Sequence, residues 1–155
     1  MTKVGESLKR VAILGALEES CTIYQQELQS NEQAYDYLIK RGITDTSISR
    51  FRIGYAPNNP HFVSNERFVE EFGYSMSTLV ESGLVIDNSD DPQKTKFSDR
   101  FRGRITIPVF DMDGKVISFT ARVFRDNPGQ MKEAEKFGKY VNGPQTEVYE
   151  KGKTL

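Results

Sequence analysis

The chain has 155 residues, with 21 Lys+Arg against 22 Asp+Glu, a formal net charge of -1 and 37% hydrophobic residues. That length suits one domain, or a domain plus an arm, with enough chain to bury a core. No apolar run approaches the ~20 residues of a membrane helix. The charged first twenty residues are not expected to form a secretory signal. One cysteine, Cys21, excludes an internal disulfide, and with one histidine, His61, it excludes a Cys/His zinc site built within this chain. The nearly balanced charge gives no overall sign of a nucleic-acid partner.

The first thirty residues read as a long amphipathic helix. Leu14, Leu17, Cys21, Tyr24 and Leu28 recur at spacings of three and four, which places them on one face. Residues 1–29 are expected to form an arm that needs a partner. Ser30 and Gln33 form a capping-box pattern, so a second helix should run to Gly42 with Tyr35, Leu38 and Ile39 inward. A helical turn over 44–50 and a short strand over 51–55 follow. Ser64 should cap a helix that stops at Gly73, and Ser75 one that stops at Gly83. The second half changes character. Residues 84–86 are apolar, and residues 87–93 form an acidic, polar loop. Residues 104–110 and 115–124 are β-rich runs joined by Asp111-Met-Asp-Gly114, a hairpin signal. Period-two reading puts Ile105, Ile107 and Val109 with Ile117, Phe119, Ala121 and Val123 on apolar faces. It leaves Arg104, Thr106, Ser118, Thr120 and Arg122 on polar ones. The expected class is α+β: short capped helices first, then a small mixed or antiparallel sheet centred on the 104–124 hairpin.

Charge is unevenly spread. Lys94, Lys96, Arg100, Arg102 and Arg104 lie within eleven residues that hold one acid, Asp99. In an extended chain Arg100, Arg102 and Arg104 project from one side, and a row of guanidinium groups suits a phosphodiester backbone. The plain alternative is a solvated face with salt bridges to nearby acids. By default Arg41 is a helix-end surface residue, and Lys139, Lys151 and Lys153 are surface lysines. Asn142 reads as a turn residue, His61 as a loop residue without a catalytic role, and Cys21 as core packing.

Asp111 and Asp113 resemble the nucleophile and acid/base pair of haloacid-dehalogenase-type phosphatases. Lys115 follows Gly114, however, and a strand begins at once, so a hairpin turn accounts better for the string.

Several strings in order resemble the bacterial-type (DnaG-like) DNA primase, in the N-terminal subdomain of its RNA polymerase core. They are Ala34-Tyr-Asp-Tyr-Leu-Ile-Lys-Arg-Gly-Ile43, Phe51-Arg-Ile-Gly-Tyr-Ala-Pro57, Ser82-Gly-Leu84 and Asp99-Arg-Phe-Arg-Gly-Arg-Ile-Thr-Ile-Pro-Val-Phe-Asp111. Val116-Ile-Ser-Phe-Thr-Ala-Arg122, Lys139-Tyr-Val-Asn-Gly-Pro-Gln-Thr146 and Lys151-Gly-Lys-Thr-Leu155 complete the set. Each is weak alone; seven in order are specific. The departures are Thr120-Ala121 for the usual Gly-Gly, Gly143 and Gln145 for Ser and Glu, a longer loop over 125–138, and no Trp near His61. They fit a divergent branch, such as one from a phage or mobile element.

The resemblance implies that residues 30–155 form this subdomain and bind single-stranded template DNA while helping to position nucleotide triphosphates. It implies nucleic-acid contacts by Arg41, Arg100, Arg102, Arg104, Arg122, Lys139, Asn142 and Lys151, with Arg122 and Lys139 also near the nucleotide. It places no catalytic or metal-binding residue in this chain. Mg or Mn belongs to an adjoining topoisomerase-primase (Toprim) domain, and zinc to an upstream module. The chain is therefore expected to be a piece of a cytoplasmic primase, inactive alone, with a replicative helicase as a further partner and no membrane. The competing expectation is a non-enzymatic replication adaptor.

Overall fold

A 28-residue helix, α1 (Lys3–Ser30), opens the chain, capped by Thr2, whose hydroxyl accepts the Gly5 N–H. The computed structural model describes residues 2–124 and 139–150. The inward face of α1 carries Ile13, Ala16, Leu17, Ser20, Cys21, Tyr24 and Leu28. The expected stripe is thus displaced at its start, with Ile13 inward and Leu14 half-buried. The expected arm is also corrected. From Ile13 onward α1 lies in the core; Val4, Leu8 and Val11 of its first turns stay exposed. Burying that apolar face against the sheet stabilises it more than exposure to solvent would.

Four short helices follow: α2 (Glu32–Lys40), α3 (Asp45–Arg50), α4 (Glu66–Phe72) and α5 (Met76–Glu81). Thr44 and Ser75 cap α3 and α5, and Gly73 ends α4 at φ +77°. Two expected caps move by one residue. Asn31 caps α2 through the Ala34 N–H, while Ser30 donates back to Gln26 O inside α1. Asn65 caps α4 through the Phe68 N–H, because Ser64 is engaged elsewhere. On α2 the inward residues are Ala34, Tyr37 and Leu38; Ile39 is exposed.

The main sheet is antiparallel, in the order β1 (Gly54–Ala56), β4 (Arg104–Phe110), β5 (Val116–Arg122), β6 (Tyr140–Asn142). A separate ribbon pairs β2 (Val85–Asp87) with β3 (Phe97–Asp99). The class is α+β, as expected. Asp111 closes the β4–β5 hairpin: its carboxylate accepts the N–H groups of Asp113 and Lys115, each at 2.9 Å, and Gly114 takes φ +82°. It is a turn residue there, which supports the hairpin reading over the phosphatase one. Among the described residues no helix is long and apolar enough to cross a membrane.

The expected division of the hairpin into apolar and polar faces is overturned by the register. Ile105 pairs with Arg122 and Thr106 with Ala121. Paired residues in an antiparallel ladder share a face. Ile105 and Arg122 therefore share one face, and Arg104, Thr106, Phe119 and Ala121 the other. Each face carries a buried cluster. Tyr24, Ala56, Phe101, Phe119 and Ala121 form one cluster; Leu28, Tyr37, Tyr55, Ile105 and Phe124 form the second. The helix α1 contributes to both clusters and meets β1 so closely that a Cβ on Gly54 would lie 2.6 Å from the Tyr24 carbonyl carbon. Arg52, at φ +56°, ties this crossing from outside: its guanidinium donates to both Glu18 carboxylate oxygens at 2.7 Å.

Candidate nucleic-acid interface

The β2–β3 ribbon, the turn at 100–103 and the start of β4 face the loop at 60–64 across a cleft of about 520 Å³. Its lining includes His61, Lys94, Arg100, Arg102 and Arg104, with Asp99 as the one acid. The expected row of alternating arginines is not an extended strand. Gly103 at φ +70° makes a turn, which separates Arg100 and Arg102 from Arg104 on β4. Arg100 Nε donates to Gly83 O at 2.7 Å, and burial pulls its guanidinium down from its ordinary range. Arg104 is only 4% exposed, and its Nη1 donates to Lys139 O at 2.9 Å. The register puts it on a covered face, so it is not the solvent-facing strand residue that alternation suggested.

Asp99 does not neutralise the cleft from its surface. Its carboxylate is turned inward and accepts three hydrogen bonds, from Val63 N–H (2.8 Å), Ser64 N–H (2.9 Å) and Ser64 Oγ (2.8 Å). Burial pushes its carboxyl above the ordinary range, against the pull of those donors. The residue fastens the 60–64 loop to β3 and so sets the width of the cleft. Asp99→Ala is expected to cost about 2 kcal/mol, because three buried donors lose their acceptor. A lower urea midpoint at unchanged slope would show it.

A second basic surface lies on the other face of the sheet. Arg41, the C-cap of α2, holds its guanidinium 5.4 Å from the Tyr37 ring centroid. Arg122 stands 6.0 Å from the same ring and 5.3 Å from the ring of Tyr140. Tyr140 is half exposed at the sheet edge and pairs with Arg122 across β5 and β6. Asn142 shares that face and accepts from the Thr120 hydroxyl. Guanidinium groups alternating with aromatic rings offer both phosphate and nucleobase contacts.

The family described as DNA primase catalytic core, N-terminal domain, matches residues 23–155. The chain belongs to that family. It is 36% identical to the DNA primase of Clostridium acetobutylicum over 138 residues, covering 88% of this chain and 20% of that protein. It is 33% identical to the DNA primase of Haemophilus influenzae over 142 residues, covering 90% and 21%. It thus spans about a fifth of the length of these curated relatives. Its fold matches a DnaG primase catalytic domain bound to ssDNA with a TM-score of 0.75 and 30% identity, over 96% of this chain and 42% of that one. It matches the RNA polymerase domain of Mycobacterium tuberculosis primase DnaG, in complex with a double-stranded DNA oligomer with a 6-nucleotide overhang, at 0.75 and 26%, over 91% and 40%.

Within this primase-family fold the expected residues divide. Arg100, Arg102 and Arg104 share the cleft; Arg41, Arg122 and Asn142 share the opposite face. Lys139 stands exposed at the start of β6, its carbonyl joining Arg104 to the sheet edge. Lys151 lies outside the described residues. Lys94 and His61 of the cleft, and Tyr37 and Tyr140 of the aromatic ladder, were not among the expected binding residues. The signal for Lys94 was its place in the basic run, and for Tyr140 its place beside Lys139; nothing in the sequence marks His61.

Proposed function

We propose that this chain is the template-tracking part of a primase catalytic core. It holds single-stranded DNA by its phosphates and helps to place a nucleotide triphosphate for primer synthesis by an adjoining Toprim domain. The observation that carries this reading is the cleft at 60–64 and 94–104. Four cations line it, and its single acid is occupied by Val63 and Ser64. Guanidinium forks match phosphodiester oxygens, and the neighbouring carboxylate does not compete for them. The similar DnaG domain bound to ssDNA supports the same partner. The ladder of Arg41, Tyr37, Arg122 and Tyr140, with Lys139 beside it, is the second half of the reading: a surface for the nucleotide or the template bases.

Metal chemistry is assigned elsewhere. Among the described residues no group of three His, Cys, Asp or Glu side chains is placed to hold a metal ion. In this reading Mg or Mn sits in the Toprim domain and zinc in an upstream module, and this chain alone does not polymerise. A replicative helicase and a cytoplasmic setting belong to the same proposal.

The test is the anisotropy of a labelled oligodeoxythymidylate titrated with the chain at rising salt. Each phosphate contact on a single strand contributes a slope of about -0.7 in log K against log salt, so Lys94, Arg100 and Arg102 together predict about -2. Binding that ignores salt, or no binding even at low salt, would overturn the reading.

A further inference from the structure

The loop between β1 and α4 also walls a second cavity, of about 350 Å³, which shares no lining residue with the cleft. Helix α1 gives it Ile23 and Glu27, α4 gives Phe68, Glu71 and Phe72, and the loop gives Phe62. The spacings of three and four along each helix set these side chains on one face of it. Ile23, Phe62 and Phe72 stay half-buried where they line the cavity.

The walls are held in place by contacts behind them. The Phe62 ring stacks on the buried Tyr24 ring at 6.5 Å between centroids, and the Phe68 and Phe72 rings pair at 4.8 Å. Asn65 ties the loop to α4: its Oδ1 accepts the Phe68 N–H, and its amide donates to the His61 and Phe62 carbonyls, each at 2.6 Å. Asp99 fastens Val63 and Ser64 of the same loop. A site whose walls are already ordered loses little entropy when it is filled.

The charge here has the opposite sign to that of the cleft. Glu27 and Glu71 stand on two different walls, and among the described lining residues there is no Lys or Arg. A phosphodiester is repelled by that pair, so the template is not the matching occupant. The complementary ligand is apolar against the phenyl rings and cationic against the carboxylates. Arg beside a large aliphatic residue meets both conditions, since a guanidinium stacks on aromatic faces and offers its fork to a carboxylate.

We propose that this cavity is a docking site for a partner protein, which inserts an apolar side chain between α1 and α4 and sets a neighbouring Arg against Glu27 or Glu71. The contact goes beyond template binding and uses no residue of the cleft.

The test is fluorescence anisotropy of three labelled hexapeptide amides: Arg-Arg-Leu-Leu-Arg-Arg, Glu-Glu-Leu-Leu-Glu-Glu and Arg-Arg-Gly-Gly-Arg-Arg. The first should bind. The acidic peptide should not, and the Gly-Gly peptide should bind at least about tenfold more weakly, because its anchor is gone. Glu27→Lys should weaken the first peptide about tenfold, since reversal replaces an attraction by a repulsion. Glu71→Lys, at an exposed position, should act in the same direction and serves if Glu27→Lys does not fold. Asp90→Lys makes the same change of net charge in the exposed β2–β3 loop and should bind as the wild type. No binding of the first peptide up to about 1 mM overturns the inference. So does equal loss in Asp90→Lys, which would mean attraction to overall charge. A concentration-dependent dimer in sedimentation velocity that Glu27→Lys dissolves would give the cavity to a second copy of the chain, and overturn it as well.

Discussion

Alanine at position 54 is expected to lower stability by about 3 kcal/mol or more, at the upper end of what overpacking costs. The new Cβ would lie 2.6 Å from the Tyr24 carbonyl carbon, 2.7 Å from its Cβ and 2.8 Å from its carbonyl oxygen. Two of those three atoms are backbone, so no rotamer change relieves the contact; α1 or β1 must move. Either movement strikes both clusters at once. Tyr24 and Ala56 belong to one, and Leu28 and Tyr55, their neighbours along the same two elements, belong to the other. Gly114→Ala is the matching control. At φ +82° it carries the left-handed penalty of about 1–2 kcal/mol, but nothing lies within 4 Å of its new Cβ. Thermal unfolding should place Gly54→Ala about 10 °C below wild type, with Gly114→Ala between them. A Gly54→Ala variant as stable as Gly114→Ala would show that α1 does not press on β1 as described.

Local chemistry carried much of the sequence reading, and tertiary pairing decided where it failed. The span expected for β4, 104–110, is the observed one, because its β-branched residues end at a turn whose Asp and Gly each have a specific task. The caps slipped by one at Ser30/Asn31 and Ser64/Asn65, where two good capping residues stand side by side. At Ser64 the choice is made by Asp99, thirty-five residues later in the chain. Period-two reading of the hairpin assumed one wet face, and that assumption fails for a sheet with a buried cluster on each side. The consequence reached the candidate site. The basic cluster was legible as a run of charge, but its division into a cleft and an aromatic ladder was not. That division follows from the pairing of Ile105 with Arg122. Ribbon strand β3 escaped notice because it is three residues long and mostly polar.

The same division makes the template assignment separable by mutation. Arg100→Ala with Arg102→Ala is expected to weaken single-strand binding by roughly 2 kcal/mol, about thirtyfold, counting each charged contact at about 1 kcal/mol because the groove is open to water. The salt slope should fall in magnitude by about 1.4, two contacts at about 0.7 each. Arg104 is not an equivalent probe. It is buried and holds Lys139 O, so Arg104→Ala should cost stability as well as charge. Arg122 lies on the opposite face of the sheet, against Tyr37 and Tyr140. If phosphates run through the cleft, Arg122→Ala should leave the salt slope of template binding nearly unchanged. If they run along the ladder instead, Arg122→Ala should reduce the slope and the Arg100/Arg102 pair should not. The two outcomes exclude each other because the β4–β5 register keeps the two surfaces on opposite faces of one sheet, and a single pair of salt titrations decides between them.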